Sequence, residues 1–170
     1  EQTARRLFSE GSPYWDLSRR ILIEKSPPNL IRTRFLQALF PGSRFILMVR
    51  HPVIVALATK KWRRRQTLES LVAHWFRCHE TLRADLPHLE QAVVLHYESL
   101  VRTPVPTLES LTSLLDLSSP LDPGPIRQAD ERYLEDWERR RRRWPSRLMT
   151  DRIVKRFAAQ AATWGYDLDD

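Results

Sequence analysis

The chain has 170 residues, 42% of them hydrophobic, with six Trp, one Cys and a formal net charge of +7. That length holds one domain with a real core and is too short for two. The apolar content excludes a disordered chain, and the lone Cys78 excludes a disulfide framework or a zinc site built on several thiolates. The positive charge is almost all Arg, whose planar donor fork suits phosphate, sulfate and carboxylate, so the partner should be anionic: a nucleotide, an acidic or sulfated acceptor, or nucleic acid.

Residues 1–20 read as a helix broken at Gly11-Ser12-Pro13, then a short amphipathic piece around Trp15 and Leu17. Glu1 to Glu10 is charged, unlike a signal peptide, and no apolar run approaches the roughly 20 residues that cross a bilayer. Arg20 to Glu24 is a short apolar run, a candidate buried strand. Pro27 and Pro28 should open a helix with Leu30, Ile31, Phe35, Leu36, Leu39 and Phe40 on one face, ended by Pro41-Gly42-Ser43. Arg44 to Val49 is a continuous apolar run, expected as a strand covered on both faces.

Pro52 should start a helix through Val55, Ala56 and Trp62. A longer helix is predicted from about Thr67 to Leu86, with Leu68, Leu71, Val72, Trp75, Phe76 and Leu82 inward and a weak capping pair in Thr67 and Ser70. Ala92 to Tyr97 is the third expected strand, and Pro104 to Leu117 a helix with Leu108, Leu111, Leu114 and Leu115 on one side. Residues 118–130 read as a loop. Helices follow around Tyr133 to Arg142 and from about Thr150 to Trp164, the last closing at Gly165. Strands alternating with helices imply an α/β fold with parallel pairing and right-handed crossovers.

In open parallel sheets, ligands bind at the carboxyl ends of the strands. The most polar short motifs fall there: Glu24-Lys25-Ser26, Arg50-His51-Pro52 and Tyr97-Glu98-Ser99. Arg50 precedes a Pro-initiated helix, whose N-terminal amides and dipole would help its fork hold a phosphate; a carboxylate-paired Arg at the sheet edge fits the spacing equally well. Lys25 can neutralise charge on a departing oxygen, or simply pair with Glu24. Tyr97 can stack on a base, or pack in the core. The five His residues show no metal-like convergence, so no metal is expected. Arg139 to Arg143, flanked by Trp137 and Trp144, reads as a solvated basic helix face more readily than as a nucleic-acid or glycan surface.

Three segments, I-L-I-E-K-S-P-P-N, F-P-G-S-R-F-I-L-M-V-R-H-P-V-I-V-A-L-A and V-V-L-H-Y-E-S-L-V-R-T-P, come in the order found in sulfotransferases. The chain resembles that family from about Leu22 to Leu117, and more loosely through Tyr133-x-x-x-Trp137 and Trp164 to Leu168. The resemblance implies a three-layer, P-loop-type fold with a parallel sheet flanked by helices. Residues 1–170 would form a single domain, with a core over 20–117 and a helical part over 118–170. It also implies sulfuryl transfer from 3′-phosphoadenosine 5′-phosphosulfate to a hydroxyl or amine on a small molecule, glycan or protein, without a metal.

By position, the resemblance assigns Arg50 to the donor's 3′-phosphate, Tyr97 to the adenine and phosphate region, and Lys25 to the transferring sulfuryl or the bridging oxygen. The family's second 3′-phosphate ligand, a Ser eight residues after the Arg, is Ala58 here, with Thr59 beside it as the available substitute. Cytosolic members carry a catalytic His where this chain has Pro27. That brings it nearer the carbohydrate and tyrosylprotein branches, whose base is a carboxylate on an earlier segment. With only four Gly, at 11, 42, 124 and 165, no 5′-phosphosulfate loop is found, so an N-terminally incomplete domain is expected, the loop and the base lying upstream. The Arg-for-Lys bias points to a bacterial cytoplasm, or to a Golgi-type lumen if an anchor precedes the chain. Two alternatives remain at this stage: a non-catalytic nucleotide- or glycan-binding relative and, behind it, an Arg-rich nucleic-acid binder.

Overall fold

Two five-residue apolar runs, Phe45–Val49 (β1) and Ala92–His96 (β2), pair in parallel, with Phe45 opposite Ala92 and Val49 opposite His96. The computed structural model describes residues 1–126 and 131–169. Within them lie α1 (Gln2–Gly11), α2 (Thr33–Leu39), α3 (Pro52–Lys60), α4 (Leu68–Asp85), α5 (Tyr97–Arg102), α6 (Pro104–Leu115), α7 (Glu131–Arg142) and α8 (Ser146–Ala162), with short 3-10 turns between some of them. A parallel pair needs a long crossover, and α3 with α4 supplies it. The expected mixed α/β fold with parallel pairing is present.

Strand alternation decides which side of the sheet is covered. Leu47 and Val49 of β1 are buried, and with Phe45, Ala92 and Val94 they face the main core. That core is built from Val53, Ala56 and Leu57 of α3, the long face of α4, Trp137 of α7, and Ile153, Phe157 and Ala161 of α8. On the other side, Val93 and Leu95 of β2 pack with Leu108 and Leu111 of α6 in a smaller cluster. Their register partners Ile46 and Met48 remain exposed. Helices therefore cover both faces of β2 and one face of β1. The expectation that β1 is sandwiched is corrected: its continuous apolar run hides an exposed alternate set.

The candidate strand at Arg20 to Glu24 is also corrected. Residues 21–26 form coil, and Leu22 and Ile23 are exposed. A strand exists only through a paired neighbour, whereas the long-range hydrogen bonds here join a side chain to a carbonyl. Trp15 Nε1 donates to the Ile23 carbonyl (3.0 Å), and Arg20 Nη2 donates to the Asp116 carbonyl (2.6 Å) at the end of α6. The helix expected after Pro27 is split as well, into a 3-10 turn (Pro27–Ile31) and α2, leaving Ile31 and Phe35 exposed. Buried Thr33 anchors the start of α2, donating to Asp85 Oδ2 at 2.8 Å.

Local chemistry explains most boundaries. Pro occupies the first turn of α3 and of α6, where its missing N–H costs nothing. Thr67 Oγ1 accepts the Ser70 N–H at 3.1 Å, so half of a capping box forms at α4. Helix α3 stops at Lys60, short of Trp62, where the Trp62 N–H bonds the Thr59 carbonyl (3.0 Å) in a tighter turn, and Lys60 Nζ reaches ahead to the Arg64 carbonyl (2.7 Å) and the Gln66 carbonyl. After α8, Gly165 takes φ +75°, and the Tyr166 N–H donates to the Ala161 carbonyl at 3.1 Å. That turn throws Trp164, Tyr166 and Leu168 inward at alternate positions, and all three are buried.

The basic run on α7 is largely neutralised within the chain. Arg139 and Arg140 pair with Asp136, Arg142 with Glu138, and Arg141 with Asp169. Of the expected loop 118–130, residues 127–130 lie outside the described residues. No helix among the described residues is long and apolar enough to cross a membrane.

Candidate active site

Val49 and His96 are the last register pair of the sheet, so the next residues, Arg50 and Tyr97, leave adjacent parallel strands side by side. The Arg50 guanidinium carbon lies 4.5 Å from the centre of the Tyr97 ring, and both residues are half-buried. Pro52 starts α3 two residues after Arg50, and Tyr97 itself starts α5. A guanidinium stacked on an aromatic face holds its planar N–H fork in a defined orientation, the geometry that suits oxygen acceptors. The first turn of α3 is buried, with Val53 and Ile54 nearly inaccessible, so its dipole is little screened by water.

A second layer of contacts fixes this corner. Glu98, directly after Tyr97, accepts the His51 backbone N–H on Oε1 at 2.9 Å and the Tyr166 hydroxyl on Oε2 at 2.9 Å. The only hydroxyl hydrogen of Tyr166 goes to Glu98. The 3.1 Å contact of that oxygen with His96 Nδ1 is therefore a donation from the histidine. His51 is buried and donates from Nε2 to the Asp167 carbonyl at 3.0 Å, which leaves Nδ1 without a partner among the described residues. Burial pushes the His51 pKa down, opposed by the Asp167 carbonyl and the Glu98 charge. Burial, the nearby Glu98 charge and the hydrogen bond to it raise the Tyr166 phenol far above its usual range, so it stays protonated.

Among the five residues singled out by sequence, the direct contact is between Arg50 and Tyr97. Lys25 is exposed on the coil that replaces the expected strand, so it does not stand at a strand end. Ala58 and Thr59 are half-buried on the last turn of α3, roughly 9 Å along the axis from Pro52. The Thr59 hydroxyl donates to the Val55 carbonyl at 2.7 Å. Among the described residues, no group of three or more His, Cys, Asp or Glu is placed to hold a metal ion.

The family model that describes the sulfotransferase family matches residues 2–123, well over half of the chain. The chain belongs to the sulfotransferase family. No curated protein and no solved structure gives a significant match. Lys25, Arg50, Ala58, Thr59 and Tyr97 all lie inside the matched span. Sulfuryl transfer is the general chemistry of this sulfotransferase family.

The sequence places His51 and Glu98 in the strand-end motifs and Tyr166 and Asp167 in the looser terminal resemblance, but gives none of the four a role. Tyr166 and Asp167 lie beyond the matched span and reach the site only through the fold. One signal was available: Trp, Tyr and Leu at alternate positions around a Gly, the pattern of an extended segment with one buried side.

Proposed function

We propose that this sulfotransferase transfers a sulfuryl group from 3′-phosphoadenosine 5′-phosphosulfate to a hydroxyl or amine, and that Arg50 holds the donor's ribose-linked phosphate. The observation that carries the reading is the stacked Arg50–Tyr97 pair, at the carboxyl ends of adjacent parallel strands and the mouth of α3. A P-loop-type sheet order fits the same reading.

The residues present fit part of such a donor. Arg50 supplies a charged fork for a phosphate, the buried first turn of α3 favours negative charge, and Tyr97 offers an aromatic face near a base. In the transfer, a bond forms between the acceptor's oxygen or nitrogen and sulfur. The bond from sulfur to the bridging phosphate oxygen breaks, and the acceptor's proton passes to a base. The role left for Lys25 is to steady the charge that grows on that bridging oxygen. Its exposed coil position gives the ammonium group reach without a fixed geometry.

A second reading is favoured by one position. Ala58 offers no hydroxyl to a phosphate, and the Thr59 hydroxyl is already donated to the Val55 carbonyl. A non-catalytic relative that binds the nucleotide or a glycan would keep the Arg50 corner and lack turnover. Incubating the protein with labelled donor and a panel of small-molecule, glycan and peptide acceptors separates the two. Label on any acceptor supports the enzyme; donor binding with no transfer to any acceptor supports the binding module.

A further inference from the structure

Beyond the matched family span, the end of the chain folds back onto the strand-to-helix corner that carries Arg50. Gly165 reverses the chain after α8, and two groups of the next segment touch the corner. The Asp167 carbonyl accepts from His51 Nε2, and the Tyr166 hydroxyl donates to Glu98 Oε2, whose other oxygen holds the His51 amide. The Tyr166 ring also meets the His51 ring edge-on, with centroids 5.3 Å apart. The segment is itself anchored. Trp137 Nε1 donates to the Leu168 carbonyl at 3.2 Å, and Arg141 pairs with Asp169 at 2.6 Å. His51 is thus gripped on its backbone and on its ring, and Arg50 is the residue before it.

We propose that Tyr166 is a positioning residue for the Arg50 corner, acting through Glu98 on the His51 amide. The inference rests on the reading of Arg50 as a phosphate ligand. Glu98 contributes geometry at an electrostatic disadvantage, since a carboxylate beside an anion site weakens anion binding unless something compensates. Both of its oxygens are held by named donors, which ties its charge to the frame of the corner. Without the Tyr166 hydroxyl, Glu98 loses a partner on one oxygen, and its hold on the His51 amide loosens. Arg50 then samples orientations that do not meet the ligand.

The test is calorimetric titration of the whole chain with adenosine 3′,5′-bisphosphate. A hydrogen bond to a charged group is commonly worth about a factor of ten or more, so Tyr166→Phe should weaken binding on the order of tenfold. Added to Arg50→Ala, the same change should have no further effect, because the two act as one unit. Thr67→Ala, at the α4 cap away from the corner, controls for lost stability and should leave the affinity within about twofold. A readout that needs no ligand is amide hydrogen exchange, in which Tyr166→Phe should speed exchange at His51 more than at Val49. If Tyr166→Phe does not fold, Glu98→Gln, which sets an amide N–H against one of the two donors Glu98 now accepts from, should speed exchange at His51 more than at Val49.

If Arg50→Ala loses affinity while Tyr166→Phe binds like the parent, the positioning role is overturned and the Arg50 reading stands. Equal losses in Thr67→Ala and Tyr166→Phe, or unaltered exchange at His51 in Tyr166→Phe and in Glu98→Gln, would also overturn it. Parent-like binding by Arg50→Ala removes the reading underneath.

Discussion

The Arg50 guanidinium stacks on the Tyr97 ring, 4.5 Å from its centre, one step beyond the Val49–His96 pair that ends the parallel sheet. The stack makes Tyr97 a support for the cation. Tyr97→Phe keeps the aromatic face and should bind adenosine 3′,5′-bisphosphate within about twofold of the parent. Tyr97→Leu removes the face. A cation–π contact of about 1 kcal/mol then predicts a loss of about fivefold in a titration.

Lys25 is assigned to the departing oxygen, so its effect belongs in turnover. Lys25→Ala should lower kcat with any working acceptor by about tenfold, less than the roughly hundredfold effect of a preorganised charge because Lys25 has no fixed geometry. Affinity for the bisphosphate product should stay within about twofold. A change in affinity with kcat unaltered would move Lys25 from the chemical step to ground-state binding.

Trp137 is 1% exposed, and its indole N–H holds the Leu168 carbonyl. Trp137→Ala should cost about 3–5 kcal/mol, combining lost burial with a cavity. Trp137→Phe keeps most of the volume, loses the hydrogen bond and should cost less. Denaturant unfolding monitored by circular dichroism measures both.

His79 should make the fold less stable in acid. It is 5% exposed and stacks on Trp75 at 3.5 Å, with Nδ1 donating to the Trp75 carbonyl at 2.8 Å. Burial lowers its pKa from 6.5 to about 4, opposed by the Trp75 carbonyl and reinforced by Arg83. Between those values the unfolded chain binds the extra proton and the folded chain does not, so stability falls as the pH drops from 6.5 towards 4. At 1.36 kcal/mol per pH unit, the loss is at most about 3 kcal/mol. His51, also lowered by burial, adds to it in the same direction. Thermal midpoints between pH 7.5 and 4.5 should decline in the parent and decline less in His79→Gln.

What the sequence shows and what it hides follow from how far apart the interacting partners lie. Helix α4 is legible because Leu68, Leu71, Val72, Trp75, Phe76 and Leu82 recur at helical spacing, and all six are buried. The handover from Val49 through Arg50 to Pro52 is legible for a similar reason: a strand-length apolar run meets a residue that favours the first helical turn. The run from Arg20 to Glu24 looks similar and forms coil, because strand formation depends on a neighbour that a local pattern cannot reveal. Exposure of Ile46 and Met48 depends on where α6 lies, and so escapes the pattern of β1 itself. The Tyr166–Glu98 bond joins residues 68 apart and leaves no trace in either neighbourhood. Arg50 and Tyr97 read as strand-end residues, and the parallel register explains why they meet.

On the proposed reading, the Arg50 guanidinium binds a nucleotide's ribose-linked phosphate. The most direct test is a titration of the parent chain and Arg50→Ala with adenosine 3′,5′-bisphosphate, repeated with adenosine 5′-phosphate. A charge-assisted contact to phosphate predicts at least a tenfold loss in the variant for the bisphosphate and little change for the monophosphate. Equal affinity of parent and variant for the bisphosphate would contradict the account.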